Sequence, residues 1–189
     1  MNKSFVIVLV IVLVSSASAN LLDPKMKAPN DFIQDTCNKT EDFKDLCISV
    51  IDSDSREDLK SNSMGFLVIF INRTLQVIID DHSYLLNQTL NEELDNRTRQ
   101  IFMGCMTLYQ MSKHSLRVLL NEELLKRRNA DLNMKLQQID GYLDLCQNDF
   151  EGFTPAPSAW TSRYDYVISL LILLFRMMNL IKCNRIRAC

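Results

Sequence analysis

MGFLVIFINRTLQVIIDDHSYLL, residues 64–86, decides how this chain folds. Met64, Leu67, Val68, Ile71, Leu75, Ile78, Leu85 and Leu86 recur at steps of three and four, with His82 as the polar intrusion in the line. That period is a helix with one apolar face; a half-buried strand would alternate at every second residue. The helical pattern extends from about Arg56 to Leu90. Working outward, the same spacing recurs in two further segments. From about Asn91 to Asn121 it runs through Leu94, Ile101, Cys105, Leu108, Tyr109, Leu116 and Leu119. From about Asn129 to Phe150 it runs through Leu132, Leu136, Ile139, Leu143, Cys146 and Phe150. A break at Thr154-Pro155-Ala156-Pro157 precedes a fourth segment, from about Ser162 to Ile181. Four glycines and four prolines are too few for a fold of many short strands. The expected class is all-α: an antiparallel four-helix bundle over residues 30–182, preceded by a short disulfide-pinned N-terminal helical hairpin.

The start of the chain has a different character. Lys3 precedes an unbroken apolar run from Phe5 to Val14, and Ala17-Ser18-Ala19 offers small residues for cleavage. Residues 1–19 therefore read as a secretory signal peptide, since the run is too short for a bilayer-spanning anchor. Export places the six cysteines in an oxidising compartment, where disulfides are expected and metal ligation is not. Cys-x-x-Cys and zinc-type His spacings are missing, so no metal and no cofactor is expected. Four sequons fit the same route, at Asn38, Asn72, Asn87 and Asn96; Asn72 lies on the flank of its apolar stripe, the least favourable place for a glycan.

Cys105 and Cys146 each lie on the core stripe of their own helix. A bond between them would staple the second bundle helix to the third, and closing a loop of about 40 residues stabilises by roughly 3–4 kcal/mol in the chain-entropy account. Cys37 and Cys47, ten residues apart, would then pair locally. Cys183 and Cys189 fall in a short basic tail, residues 183–189, where pairing with each other, cross-linking two chains and staying free are all open. Val167 to Phe175 is nearly continuous apolar sequence; it reads as a helix buried in the bundle, with a membrane span or a GPI signal as the alternatives.

The net charge of −2 without a basic stripe argues against a nucleic-acid partner. Catalytic chemistry finds no footing either. His82 lies on an apolar stripe, His114 has no nucleophile partner in any motif, and no Gly-x-Ser-x-Gly elbow, phosphate loop or His-Glu-x-x-His occurs. Asp80-Asp81-His82 is expected on a solvated helix face, because adjacent helical residues diverge. Asn91-Glu92-Glu93 reads as an acidic helix start and Leu125-Lys126-Arg127-Arg128 as a basic helix end or turn. A stapled bundle without an active site works by presenting a rigid surface to a partner.

Several short motifs resemble the plant invertase and pectin methylesterase inhibitor family. Thr36-Cys37-Asn38-Lys39-Thr40 with Leu46-Cys47 is similar to the family's opening Thr-Cys-x-x-Thr and its second cysteine. Asp54-Ser55-Arg56 follows, then Cys105, Tyr109 and Leu116, then Cys146-Gln147-Asn148-Asp149-Phe150-Glu151-Gly152, in the family's order. The resemblance implies the pairs Cys37–Cys47 and Cys105–Cys146. It also implies a secreted, apoplastic or vacuolar protein that forms a one-to-one complex covering the active-site cleft of a pectin methylesterase or an acid invertase. The family's invertase inhibitors often carry Pro-Lys-Phe where Asn129-Ala130-Asp131 stands here, which favours pectin methylesterase. The chain departs from the family pattern at Gly104, at His114, at Leu136-Gln137-Gln138-Ile139 and in its Cys-containing tail. A non-inhibitory secreted helical ligand or structural protein on the same scaffold is accordingly the alternative. The expected contact surface is polar and off the stripes: Thr107, Gln110 and Lys113 on the second bundle helix, and Asn133, Gln137 and Gln138 on the third.

Overall fold

The computed structural model describes residues 29–123, 129–153 and 158–186. The expected leader, residues 1–19, the Leu125–Arg128 stretch and Cys189 lie outside the described residues, as does the side chain of Cys183. Two short helices, α1 (Pro29–Asn38) and α2 (Lys44–Ser53), open the described chain. The Cys37–Cys47 disulfide closes them into a hairpin, with the two Cα atoms 5.5 Å apart and both side chains buried. Between them Thr40 is fully buried, and its hydroxyl donates to the Cys37 carbonyl at 2.7 Å. Glu41 then takes a left-handed φ of 55°, unusual for a residue with a Cβ. Outside help holds it there. Arg176, far along the chain, donates to the Thr40 carbonyl and to Glu41 Oε2 (2.9 Å), and its guanidinium lies 5.0 Å from the centre of the Phe43 ring. The charge that interrupts the last apolar run is therefore the clamp on the first turn.

A corner leads from the hairpin into the bundle. Arg56 donates to Asp54 Oδ1 through both its backbone N–H and Nε, at 2.9 Å each, and its terminal nitrogen donates to Oδ2. That bond holds the Asp54 carboxyl below its ordinary pKa. A 3-10 turn, Glu57–Ser61, follows, so the first bundle helix begins later than the apolar period suggests: α3 spans Ser63–Thr89. Asn62 caps it by accepting from Gly65 N at 2.9 Å. Gly65 is needed because the 3-10 turn crosses it. A Cβ at 65 would sit 1.9 Å from the Leu59 carbonyl oxygen.

The next helix, α4 (Asn96–Val118), also starts later than expected. Asn91-Glu92-Glu93 is a turn and not a helix start. Asn91 Oδ1 accepts from Glu93 N, and Arg99 reaches back to the carbonyls of Thr89, Asn91 and Leu94. Asp95 is the actual cap, accepting from the N–H groups of Arg97 and Thr98 at 2.9 Å each. A single π turn, Leu119–Glu123, ends this helix. Then come α5 (Asn129–Phe153) and α6 (Ser158–Ile186). Around the bundle α3 packs on α4 and α6, and α5 packs on α4 and α6, giving the antiparallel four-helix arrangement with α1 and α2 against one end. No strand occurs among the described residues.

The core follows the stripes on α4 and α5: Ile101, Cys105, Tyr109, Leu116 and Leu119 meet Leu132, Leu136, Ile139, Leu143, Cys146 and Phe150. The Cys105–Cys146 bond joins the two helices, with Cα atoms 4.8 Å apart. On α3 the buried face is turned relative to the expected stripe. Phe66, Phe70, Thr74, Val77 and Asp81 are buried beside Leu67, Ile71, Ile78 and Leu85, whereas Leu75 and His82 are half-buried and Leu86 is exposed. Helix α6 contributes Trp160, Val167, Leu170, Leu171, Leu173, Leu174, Met177, Met178 and Ile181. Each such aliphatic or aromatic side chain gains about 1.5–3 kcal/mol from leaving water.

Candidate docking face

Helices α4 and α5 form a cross-linked pair whose outer side is a continuous surface. The position of a Cβ at Gly104 lies 4.0 Å from Asp149 Oδ2 of α5, so the row Gly104–Thr107–Met111 on α4 faces the row Gln138–Tyr142–Leu145–Asp149 on α5. Gln138 is held in its row by donating to the Tyr142 hydroxyl at 2.7 Å. An acidic residue at 104 would meet the Asp149 carboxylate, which gives the glycine there a local electrostatic rationale.

The six polar positions expected to form the contact surface do not all share this face. Thr107, Gln110 and Gln138 are exposed on it. Lys113 is half-buried and turned toward α3, close enough to His82 that, after burial itself, it is the second cause lowering the imidazole pKa. Asn133 and Gln137 are exposed, but they lie on the row 133–137–140–144, which ends at Asp144, the acceptor of the Tyr164 hydroxyl of α6 at 2.7 Å. These two look toward α6.

Polarity alone also missed the apolar part of the face. Met103 (51%), Met111 (42%), Met134 (60%) and Leu145 (56%) are exposed on α4 and α5. Met103, Thr107, Gln110 and His114 repeat the helical spacing of Met134, Gln138, Gly141 and Leu145, so each helix carries a mixed apolar and polar crest. The signal was present in the sequence as apolar residues lying off the core stripes.

A second polar cluster lies inside the bundle and corrects another expectation. Asp81 is not on a solvated face; its side chain is 1% exposed and pairs with Arg163 of α6 at 2.7 Å. Adjacent residues do diverge, and this one diverges into the core. Asp80, on the outside, accepts from Gln76. Burial raises the Asp81 pKa despite the bond to Arg163. Arg163 also lies 4.7 Å over the Tyr84 ring. Tyr84, Tyr109 and Phe150 surround Trp160, with ring centres 6.3, 5.4 and 5.4 Å away. Burial, then the Asp81 charge, push the Tyr109 hydroxyl well above its ordinary pKa. Arg73, Val77, Asp80, Asp81, Ser162, Arg163 and Tyr166 line a shallow groove of about 370 Å³ outside this cluster. Its charged groups tie α3 to α6: Arg73 donates to the Tyr166 hydroxyl at 3.2 Å, and Arg163 to Asp81. These bonds are the chemistry of a helix clamp. Among the described residues no group of His, Cys, Asp and Glu could hold a metal ion.

The sequons fall in different settings. Asn38 and Asn87 are exposed and Asn96 opens α4. Asn72 is half-buried, with its amide donating to the Val68 carbonyl at 2.8 Å, and the Thr74 of its sequon is wholly buried and bonded to the Phe70 carbonyl.

Three comparisons bear on this architecture. The family model described as plant invertase/pectin methylesterase inhibitor matches residues 31–170. Among solved structures, the fold is similar to the crystal structure of a pectin methylesterase inhibitor from Arabidopsis thaliana, at 16% sequence identity and a TM-score of 0.57, covering 78% of this chain and 93% of that one. None of the curated proteins matches the sequence.

Proposed function

The chain belongs to the plant invertase/pectin methylesterase inhibitor family, whose members are inhibitors rather than enzymes, and from that premise we propose that it inhibits a pectin methylesterase by a one-to-one complex. The observation that carries this reading is the family match across the hairpin and most of the bundle, residues 31–170. The absence of Pro-Lys-Phe at Asn129-Ala130-Asp131 supports pectin methylesterase over acid invertase. The leader and sequons support secretion to the cell wall, where the target works.

In this reading the outer face of α4 and α5 docks across the enzyme's active-site cleft. Met103, Met111, Met134 and Leu145 supply apolar contact, and Thr107, Gln110 and Gln138 supply hydrogen bonds. The disulfide between the two helices fixes their spacing before binding, which lowers the ordering cost of association. The test is titration of the purified, oxidised mature protein into separate pectin methylesterase and acid invertase assays at mildly acidic pH. Stoichiometric loss of the first activity is expected. Loss of invertase activity alone reassigns the target. Loss of neither, with the helical circular dichroism of the fold intact, refutes inhibition and leaves a secreted helical ligand on the same scaffold.

A further inference from the structure

Seven methionines lie among the described residues, and they range from buried to more than half exposed. Met177 (0%) and Met178 (7%) are buried in α6. Met64 and Met106 are half-buried against the core. The three exposed ones, Met103, Met111 and Met134, all fall on α4 and α5, the two helices of the docking face. Met103 and Met111 lie two turns apart on one helix, about 12 Å along its axis. Met134 lies on the other, on the crest that ends at Leu145. A methionine fits an adaptable apolar contact because its thioether is soft and unbranched, and an exposed one is open to oxidants.

We propose that Met103, Met111 and Met134 are an oxidation-controlled set that switches docking through the α4–α5 face; the switching, though not the modification, rests on the docking reading above. The oxidant class is a hydroperoxide such as hydrogen peroxide. The thioether sulfur attacks the nearer peroxide oxygen, the O–O bond breaks, and an S=O bond forms. The sulfur loses two electrons, and the proton on the attacked oxygen passes to the departing hydroxide, which leaves as water. Each event turns an apolar contact into a polar sulfoxide, so the face loses three of its four apolar anchors while Met177 and Met178, buried in α6, keep their packing. The change is reversible by a thiol-dependent sulfoxide reductase.

The experiment treats the folded, disulfide-intact protein with dilute hydrogen peroxide, destroys the peroxide with catalase and maps sulfoxide by peptide mass spectrometry. Met103, Met111 and Met134 are expected to oxidise at least about tenfold faster than Met177 and Met178, with helical circular dichroism unchanged. Equal rates across the seven methionines, or loss of helicity before the three are modified, overturn the proposal. The oxidised protein is then titrated into pectin methylesterase and invertase assays beside untreated protein and the triple variant M103L/M111L/M134L. The expected result is an apparent affinity at least about tenfold weaker after oxidation, with the leucine variant inhibiting equally before and after peroxide. Untreated protein that inhibits while oxidised protein inhibits equally well overturns this inference alone. Untreated protein that inhibits neither enzyme overturns the docking reading and the switching with it.

Discussion

Glycine-to-alanine substitution at two helical positions of this protein should have opposite signs, and the sign follows from one carbonyl. In a helix interior alanine is favoured over glycine by about 1 kcal/mol, through propensity and a smaller unfolded-state entropy. Gly141 has nothing within 4 Å of the position its Cβ would take. Gly141→Ala should realise most of that gain and raise Tm by about 2–4 °C for a chain of this size. At Gly65 the new methyl would stand 1.9 Å from the Leu59 carbonyl oxygen, 2.7 Å from its carbon and 2.8 Å from its Cα. All three atoms are backbone, so no rotamer relieves the clash, and the 3-10 turn must retreat by at least about 1 Å. Overpacking of this kind costs about 1–3 kcal/mol, and strain on the Asn62 cap, which bonds the Gly65 N–H, adds about 1 kcal/mol. Against the 1 kcal/mol gain, Gly65→Ala should lose roughly 1–3 kcal/mol and lower Tm by on the order of 5 °C. Thermal melts followed by circular dichroism on both variants read the difference directly. A Gly65→Ala protein that melts at or above the wild type would refute the close approach of the turn to α3.

Other expectations come from the same structure. The Cys105–Cys146 bond closes a loop of 41 residues, so the double alanine variant should lose about 3–4 kcal/mol and melt on the order of 10 °C lower. Asp81 has a pKa raised in the fold, so the folded state holds its proton more tightly than the unfolded chain does. Its contribution is therefore fully present below the unfolded-state pKa and is lost as pH rises through the folded value. The Tm of the wild type minus that of Asp81→Asn should grow as pH falls from about 7 toward the carboxylate range, and a difference independent of pH removes this account. On protein secreted from a eukaryotic host, mass mapping before and after glycosidase should find glycan on Asn87 and Asn96 and none on Asn72, because the Asn72 amide and the Thr74 hydroxyl are both bonded within α3. A glycan at Asn72 would show that α3 is not packed as described.

What could be read from the sequence depended on how local the deciding interaction is. The cysteine pairs were legible because Cys105 and Cys146 each fall on an apolar stripe and Cys37 lies only ten residues from Cys47. The phase of α3 was not, because Ile69, Phe70 and Ile71 are all buried in a row and so apolar a helix offers several plausible faces. The buried face carries Asp81, whose partner Arg163 stands 82 residues later. Trp160, the centre of the aromatic cluster, was missed because the last helix starts at Ser158 and not near Ser162. On the candidate face, helical spacing showed which residues leave the core. It did not show whether they look toward α3, as Lys113 does, toward α6, as Asn133 and Gln137 do, or outward between α4 and α5, as Gln138 does. That distinction needs the order of the helices around the bundle, which a single sequence does not carry.

The clamp of Arg176 on the first turn has a consequence for how the chain is made. Thr40 and Arg176 are 136 residues apart, so a ribosome has delivered most of the polypeptide before the turn can meet its clasp. The opening hairpin can pack on the 3-10 turn and α3 soon after these are made, but the Arg176 bonds to Thr40 and Glu41 form only once the final helix arrives. The beginning of this fold is completed by its end, and a nascent chain stopped short of Arg176 would carry a hairpin whose Thr40 carbonyl and Glu41 carboxylate lack their guanidinium partner.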